Sequence, residues 1–252
     1  MSCVETTLCQ NHRAPFSFSA TPSPGAPPQT PLRKKKHCLP IFNYYRKIKY
    51  MTKEFLPFDK VRNDALKLAH KIFKEDNFVP NIIYCALRGG AYMANVISEY
   101  YKLAVKDKKI MFAAVSSHSY TGVHEANNTV NVEGWTLSPD KIKKDDKIML
   151  IDDIYDSGNT INELVTLFLK AGISRENIKV IVHDYKVQTF KKQPDIKPDY
   201  WCNKIVVNKP EESNWIHYMS HELVGLTKAE LEEHYFKQDP ELRKVFEGLI
   251  NK

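Results

Sequence analysis

No part of the 252-residue chain approaches the roughly 18 consecutive apolar residues that cross a bilayer as a helix, and its N-terminus has no compact apolar core of the secretory-signal kind. A membrane role and export are set aside on that ground, and a cytoplasmic protein is the expectation. Cysteine is sparse: Cys3, Cys9, Cys38, Cys85 and Cys202 are odd in number and form no C-x-x-C pair, which argues against a disulfide framework or a zinc cluster. They read as free thiols, with Cys85 and Cys202 acting as small buried hydrophobes. The nine glycines include no G-x-x-x-x-G-K-[ST] and no G-x-G-x-x-G, so a Walker nucleotide loop and a dinucleotide fold are both excluded.

Acidic residues are scarce in one region only. Residues 1–50 carry eight Lys/Arg against the single acid Glu5, and taking these from the 37 basic and 30 acidic residues of the whole chain leaves 29 of each beyond residue 50. The net charge of +7 therefore belongs to the extension, the body is formally neutral, and no nucleic-acid partner is expected. Residues 14–32 are rich in Pro, Ser and Thr without apolar periodicity, a composition too polar to offset the entropy of ordering, and predict disorder. The basic run from Arg33 to His37 reads as a solvated charge run. The division that follows is an extension over 1–50 and one catalytic-sized domain over 51–252.

Within that domain Val61, Ala65, Leu68, Ile72 and Phe73 recur at helical spacing, predicting a helix from Phe58 to about Asp76. Short β-rich apolar runs at Asn81–Ala86, Ile110–Val115, Lys147–Ile151 and Ile178–His183 predict strands. Helical periodicity returns over Ala91–Leu103 and Asn159–Ala171, and Ser117–Asp146 reads as a long polar loop. Strands alternating with helices specify an α/β fold, a doubly wound and mainly parallel sheet flanked by helices, in which ligands bind beyond the strands' carboxyl ends.

The densest chemistry lies in KIMLIDDIYDSGNT, Lys147 to Thr160. An apolar strand empties into Asp152, Asp153 and Asp156, followed by Ser157-Gly158-Asn159-Thr160 at the start of a helix. A helix N-terminus preceded by Gly and hydroxyl residues offers backbone N–H groups and a partial positive charge to a phosphate. Carboxylates at a strand end suit ribose hydroxyls and a magnesium ion. Together they describe a phosphorylated sugar, although Asp156 and Ser157 could also serve simply as helix caps. A dehalogenase-type phosphatase would need Asp-x-Asp, and Tyr155 or Ile154 stands where the second acid should be.

This segment resembles the phosphoribosyl pyrophosphate (PRPP) motif of type I phosphoribosyltransferases: four apolar residues, two acids and a D-[ST]-G-x-T phosphate loop. Three further segments are similar to those of the family's purine branch and fall in its order. Ala86-Leu87-Arg88-Gly89-Gly90 resembles the pyrophosphate loop, whose strained, often cis, peptide would here be Leu87-Arg88. Ser119-Tyr120 resembles the Ser-Tyr of the mobile hood over the reacting centre. Lys197-Pro198-Asp199-Tyr200 and Asn214-Trp215-Ile216-His217-Tyr218 are similar to the K-P-D-[FY] and W-[IV]-x-[FY] segments of a purine pocket.

The resemblance implies transfer of phosphoribose from PRPP to a 6-oxopurine with magnesium as cofactor, by a homo-oligomer. Its alternatives are a PRPP- or nucleotide-sensing regulator on the same fold, or transfer to another base. It implies that Arg88, Gly89, Asp152, Asp153, Ser157, Gly158, Asn159 and Thr160 bind PRPP, with Asp152 and Asp153 also at the metal. Asp156 would be the general base, Ser119 and Tyr120 the hood, and Lys186, Trp215 and Ile216 the base pocket. Two departures stand out: Met219-Ser220-His221-Glu222 replaces the P-W-E of many relatives, and a longer connection, Gln188 to Gln193, follows Lys186.

Overall fold

The run that holds the carboxylates is a central strand of a six-stranded sheet. The structure, a computed structural model, describes residues 51–119 and 130–249, without the side chains of His118 and Ser119. The extension over 1–50, with its expected disorder, and Tyr120 of the expected hood lie outside the described residues.

The elements in chain order are β1 (Lys53–Leu56), α1 (Phe58–Glu75), β2 (Ile82–Leu87), α2 (Ala91–Ala104), β3 (Met111–Ser119), β4 (Val130–Glu133), β5 (Ile148–Tyr155), α3 (Asn159–Lys170), β6 (Ile178–Gln188), β7 (Tyr200–Val207), β8 (Trp215–Tyr218), α4 (Lys228–Leu231) and α5 (Leu242–Phe246). The main sheet has the order β4-β3-β2-β5-β6-β7, parallel except for the β3–β4 pair. A separate parallel pair, β1 with β8, aligns Lys53 with Trp215 and Leu56 with Tyr218.

Period-two alternation divides the core between the two faces of the sheet. On one face Ile148 and Leu150 of β5 join Ile82, Tyr84 and Val180 against Leu164, Val165 and Phe168 of α3. On the other, Met149 and Ile151 join Ile83, Cys85 and Ile181 against Ala65, Ala69 and Ile72 of α1 and Ile97 and Tyr101 of α2. Helices therefore cover both faces, as a doubly wound sheet requires. Phe168 is fully buried at the centre of its face, and truncating it to alanine costs about 3–5 kcal/mol.

Three strand expectations and one loop expectation need correction. β5 runs past Ile151 through Asp152 and Asp153 to Tyr155, because the ladder to β6 continues from Asp152↔Val182 to Tyr155↔Tyr185. β6 likewise runs on from His183 to Gln188, paired with β7. β3 extends to Ser119 rather than stopping at Val115, and the stretch expected as loop from Ser117 to Asp146 includes β4, which pairs Ser116–Ser119 with Val130–Glu133. Polar residues end an apolar run without ending the backbone ladder, so the strands outlast their hydrophobic signal. Among the described residues no helix is long and apolar enough to cross a membrane.

Candidate active site

At the end of β5 the chain turns through Asp156, Ser157 and Gly158 into α3. Gly158 has φ +84°, and a Cβ there would lie 2.2 Å from the Tyr155 hydroxyl oxygen, so only glycine makes this turn beside the tyrosine. Tyr155 is fixed in turn by donating to the Ile196 carbonyl at 3.0 Å. No side chain at Gly158 caps α3, and Ser157 Oγ accepts the Asn159 N–H at 3.3 Å. The first turn of the helix thus presents its remaining N–H groups and the positive end of its dipole beside the loop. Asp156 is not a cap: its carboxylate turns across to β6, where the Gln188 amide donates to its Oδ1.

Asp152 and Asp153 stand on the adjoining stretch of strand. Burial, reinforced by the charge of Asp153, pushes the Asp152 carboxyl well above the usual carboxylate range. Asp152 Oδ1 accepts the Asp153 N–H at 3.0 Å and Asp153 Oδ1 the Ile154 N–H at 2.8 Å. Asp153 Oδ2 lies 3.2 Å from His221 Nε2. The turn after β2 approaches so closely that a Cβ on Gly89 would be 2.3 Å from Asp153 Oδ1. In that turn the Leu87-Arg88 peptide is cis.

A cavity of about 250 Å³ opens at this end of the sheet, and its wall combines the two expected halves of the site. Asp152, Asp153, Asp156, Ser157, Gly158 and Thr160 line one part; Lys186, Trp215 and Ile216 line the other. Arg88, Gly89 and Asn159 are not on this wall; Arg88 is exposed on the neighbouring turn. Ser119 ends β3 in its backbone, and Tyr120 lies outside the described residues.

Lys186 is buried on β6, donates to the Asn214 carbonyl at 2.7 Å and comes within 4.0 Å of Asp156 Oδ2. Trp215 donates through its indole N–H to Glu222 Oε2 at 3.2 Å. Tyr218 reaches under the site, its hydroxyl donating to Asp184 Oδ2 at 2.5 Å with the Asp153 carbonyl at 3.1 Å. Asp184 is fully buried, and the Nδ1 of His183 at 2.7 Å and the amide of Asn203 at 2.9 Å complete its partners. Burial alone would raise the Asp184 carboxyl, but these hydrogen bonds and the charge of His183 outweigh it and hold it below its usual range.

Sequence reasoning missed Gln188, Gln193, His221 and Glu222, and it named Tyr218 only as part of the base-pocket segment. Of these, only the departure at His221-Glu222 and the long connection from Gln188 to Gln193 left any trace, and neither indicated what the side chains touch. Among the described residues no three metal-ligating side chains cluster. Magnesium keeps several waters and takes one or two carboxylates together with substrate oxygens, and the Asp152–Asp153 pair is a donor set of that kind.

Fold and site together define an α/β protein with the fold of type I phosphoribosyltransferases and a cavity at the carboxyl end of β5. The chain belongs to the phosphoribosyl transferase family: the model of the phosphoribosyl transferase domain matches residues 52–217. Among solved structures it is similar to a purine phosphoribosyltransferase from Pyrococcus horikoshii Ot3, at 20% identity and TM-score 0.51, over 69% of this chain and 96% of that one. A hypothetical protein from Neisseria gonorrhoeae with bound ppGpp is similar at 19% identity and TM-score 0.52, over 69% of this chain and 91% of that one. At these identities the likeness is one of fold. No curated protein sequence matches the chain.

Proposed function

We propose that the chain transfers the 5-phosphoribosyl group from PRPP to a 6-oxopurine, giving a nucleoside 5'-monophosphate and pyrophosphate. The observation that carries this reading is the shared cavity wall: the phosphate loop, Asp156, Lys186 and Trp215 face one space of about 250 Å³. The loop from Ser157 to Thr160 takes the 5'-phosphate, and Asp152 and Asp153 take the ribose hydroxyls. Magnesium at the same two carboxylates would offset the charge of the diphosphate. Arg88 and the Gly89 N–H, on the adjoining turn, attend the leaving group.

A purine lying on Trp215 has Lys186 as donor to its 6-oxo oxygen. As a purine nitrogen bonds to ribose C1, the C1–O bond to pyrophosphate breaks, and the proton on N7 passes to Asp156. The protein would work in the cytoplasm as a homo-oligomer.

The test is turnover of the purified protein with PRPP, magnesium and each base in turn. Hypoxanthine, guanine or xanthine should be converted at least about a hundred-fold more efficiently than adenine or orotate, since a charged donor left unpaired in a pocket carries a penalty of that order. Adenine or orotate as the best substrate overturns the base assignment, and nucleotide binding without turnover favours a sensing role.

A further inference from the structure

Asp156 stands at a half-buried turn with its side chain 46% accessible, yet it is not loose. Two glutamines from the end of β6 and the connection after it close around it. The Gln188 amide nitrogen donates to Asp156 Oδ1 and, at 3.2 Å, to the Asp156 carbonyl. The Gln193 amide nitrogen donates to the same carbonyl at 2.7 Å and to the Lys186 carbonyl at 2.9 Å. Gln193 Oε1 accepts the Gln188 N–H at 3.2 Å, which ties the two glutamines together. All four amide hydrogens are used, and the Asp156 carbonyl uses both of its lone pairs. Gln188 is buried, and neither glutamine lines the cavity, so neither touches a ligand there.

We infer that Gln188 and Gln193 are positioning residues for Asp156, and that Asp156 Oδ2 is the oxygen that receives the base proton. Oδ1 is occupied by the Gln188 amide; Oδ2 lies on the side of Lys186, 4.0 Å from its Nζ, where the base edge would be. By gripping the backbone of Asp156 and of Lys186 together, Gln193 anchors the turn that carries the carboxylate to β6. The longer connection after Lys186 thus acquires a purpose, since it brings an amide back beneath the turn. This rests on the proposed role of Asp156, and the experiment separates the two.

Single-turnover rates and Michaelis constants are measured for Asp156→Asn, Gln188→Met, Gln193→Met, and each glutamine change combined with Asp156→Asn. A misdirected base costs roughly ten- to a hundred-fold in kcat, with both Michaelis constants within about three-fold of wild type. Because the glutamines act through the carboxylate, their loss should add nothing in the Asp156→Asn background. Equal losses in both backgrounds, a kcat unchanged by both glutamine changes, or raised Michaelis constants with unchanged kcat would overturn the inference. Asp156→Asn at the wild-type rate would instead remove the general-base role itself. Should Gln188→Met not fold, Gln193→Met, whose site is only half-buried, decides the outcome by the same comparison.

Discussion

The indole N–H of Trp215 and the backbone N–H of Tyr218 donate to the same oxygen, Glu222 Oε2, each at 3.2 Å. One carboxylate therefore holds both the aromatic platform and the strand that carries it. Burial raises the Glu222 carboxyl above its usual range, and the two N–H donors oppose that rise. Trp215→Ala should raise the Michaelis constant for every accepted base, by the roughly 1–3 kcal/mol that base–aromatic stacking contributes. Steady-state kinetics with hypoxanthine and guanine checks it; an unchanged constant removes the tryptophan from the base site.

Lys186→Ala should act differently. Loss of the ammonium weakens 6-oxopurines selectively, by about 1.5–3 kcal/mol for a hydrogen bond from a charged donor, and leaves the PRPP constant near wild type. It also leaves the Asn214 carbonyl without the 2.7 Å bond it accepts, so a lower melting temperature is expected alongside. Equal losses for 6-oxopurines and adenine would show a role in charge or packing.

Gly89→Ala tests the close approach of the turn after β2 to β5. The added Cβ would fall 2.3 Å from Asp153 Oδ1, and either the turn or the carboxylate must move. PRPP affinity by calorimetry should fall roughly ten-fold or more, equivalent to about 1.4 kcal/mol, while the base constant changes little. Wild-type affinity would show that the turn yields freely.

His217 gives the fold a pH dependence. It is fully buried, and burial, followed by the charge of Lys53, pushes its imidazole down to about 4. The unfolded chain binds a proton near pH 6.5, so the folded state, which keeps His217 neutral, has its full stability above that pH. Stability is then lost as pH falls from about 6.5 to about 4, by about 3 kcal/mol. His217→Gln should flatten the melting temperature over that window relative to wild type. A parallel pH curve for the variant would place the acid sensitivity elsewhere.

A chain beginning at Met51 should keep its turnover, because the motifs all lie beyond it and β1 begins at Lys53. A chain beginning at Phe58 should not, since β8 loses its only hydrogen-bonded strand neighbour among the described residues. Activity assays on both truncations check the boundary.

The strand, turn and helix of the proposed PRPP half were legible in the sequence because their determinants are local. An apolar strand, acids, a hydroxyl–glycine turn and a helix follow one another within Lys147–Lys170, and the chain needs no distant partner to reveal them. The proposed base half was singled out only through resemblance. β8 is four residues long and pairs with another four-residue strand at the opposite end of the domain, too short for periodicity to register. Gln188 and Gln193 belong to no motif, and an amide carries no signal until its partner is near. Asp184 and His183 sit in a run whose neighbours are apolar, and the burial that makes their pairing consequential is a property of packing.

The pairing of β1 with β8 joins residues 53–56 to residues 215–218. The elements around the proposed phosphate site, β2, β5, α3 and β6, all precede β8 in the chain, so the strand that carries Trp215 leaves the ribosome after them. Of the residues in the proposed site, Trp215 and Ile216 are therefore the last to be synthesised. Premature termination between the end of β6 and the start of β8 would leave a fragment that carries the residues of the proposed phosphate loop and lacks Trp215.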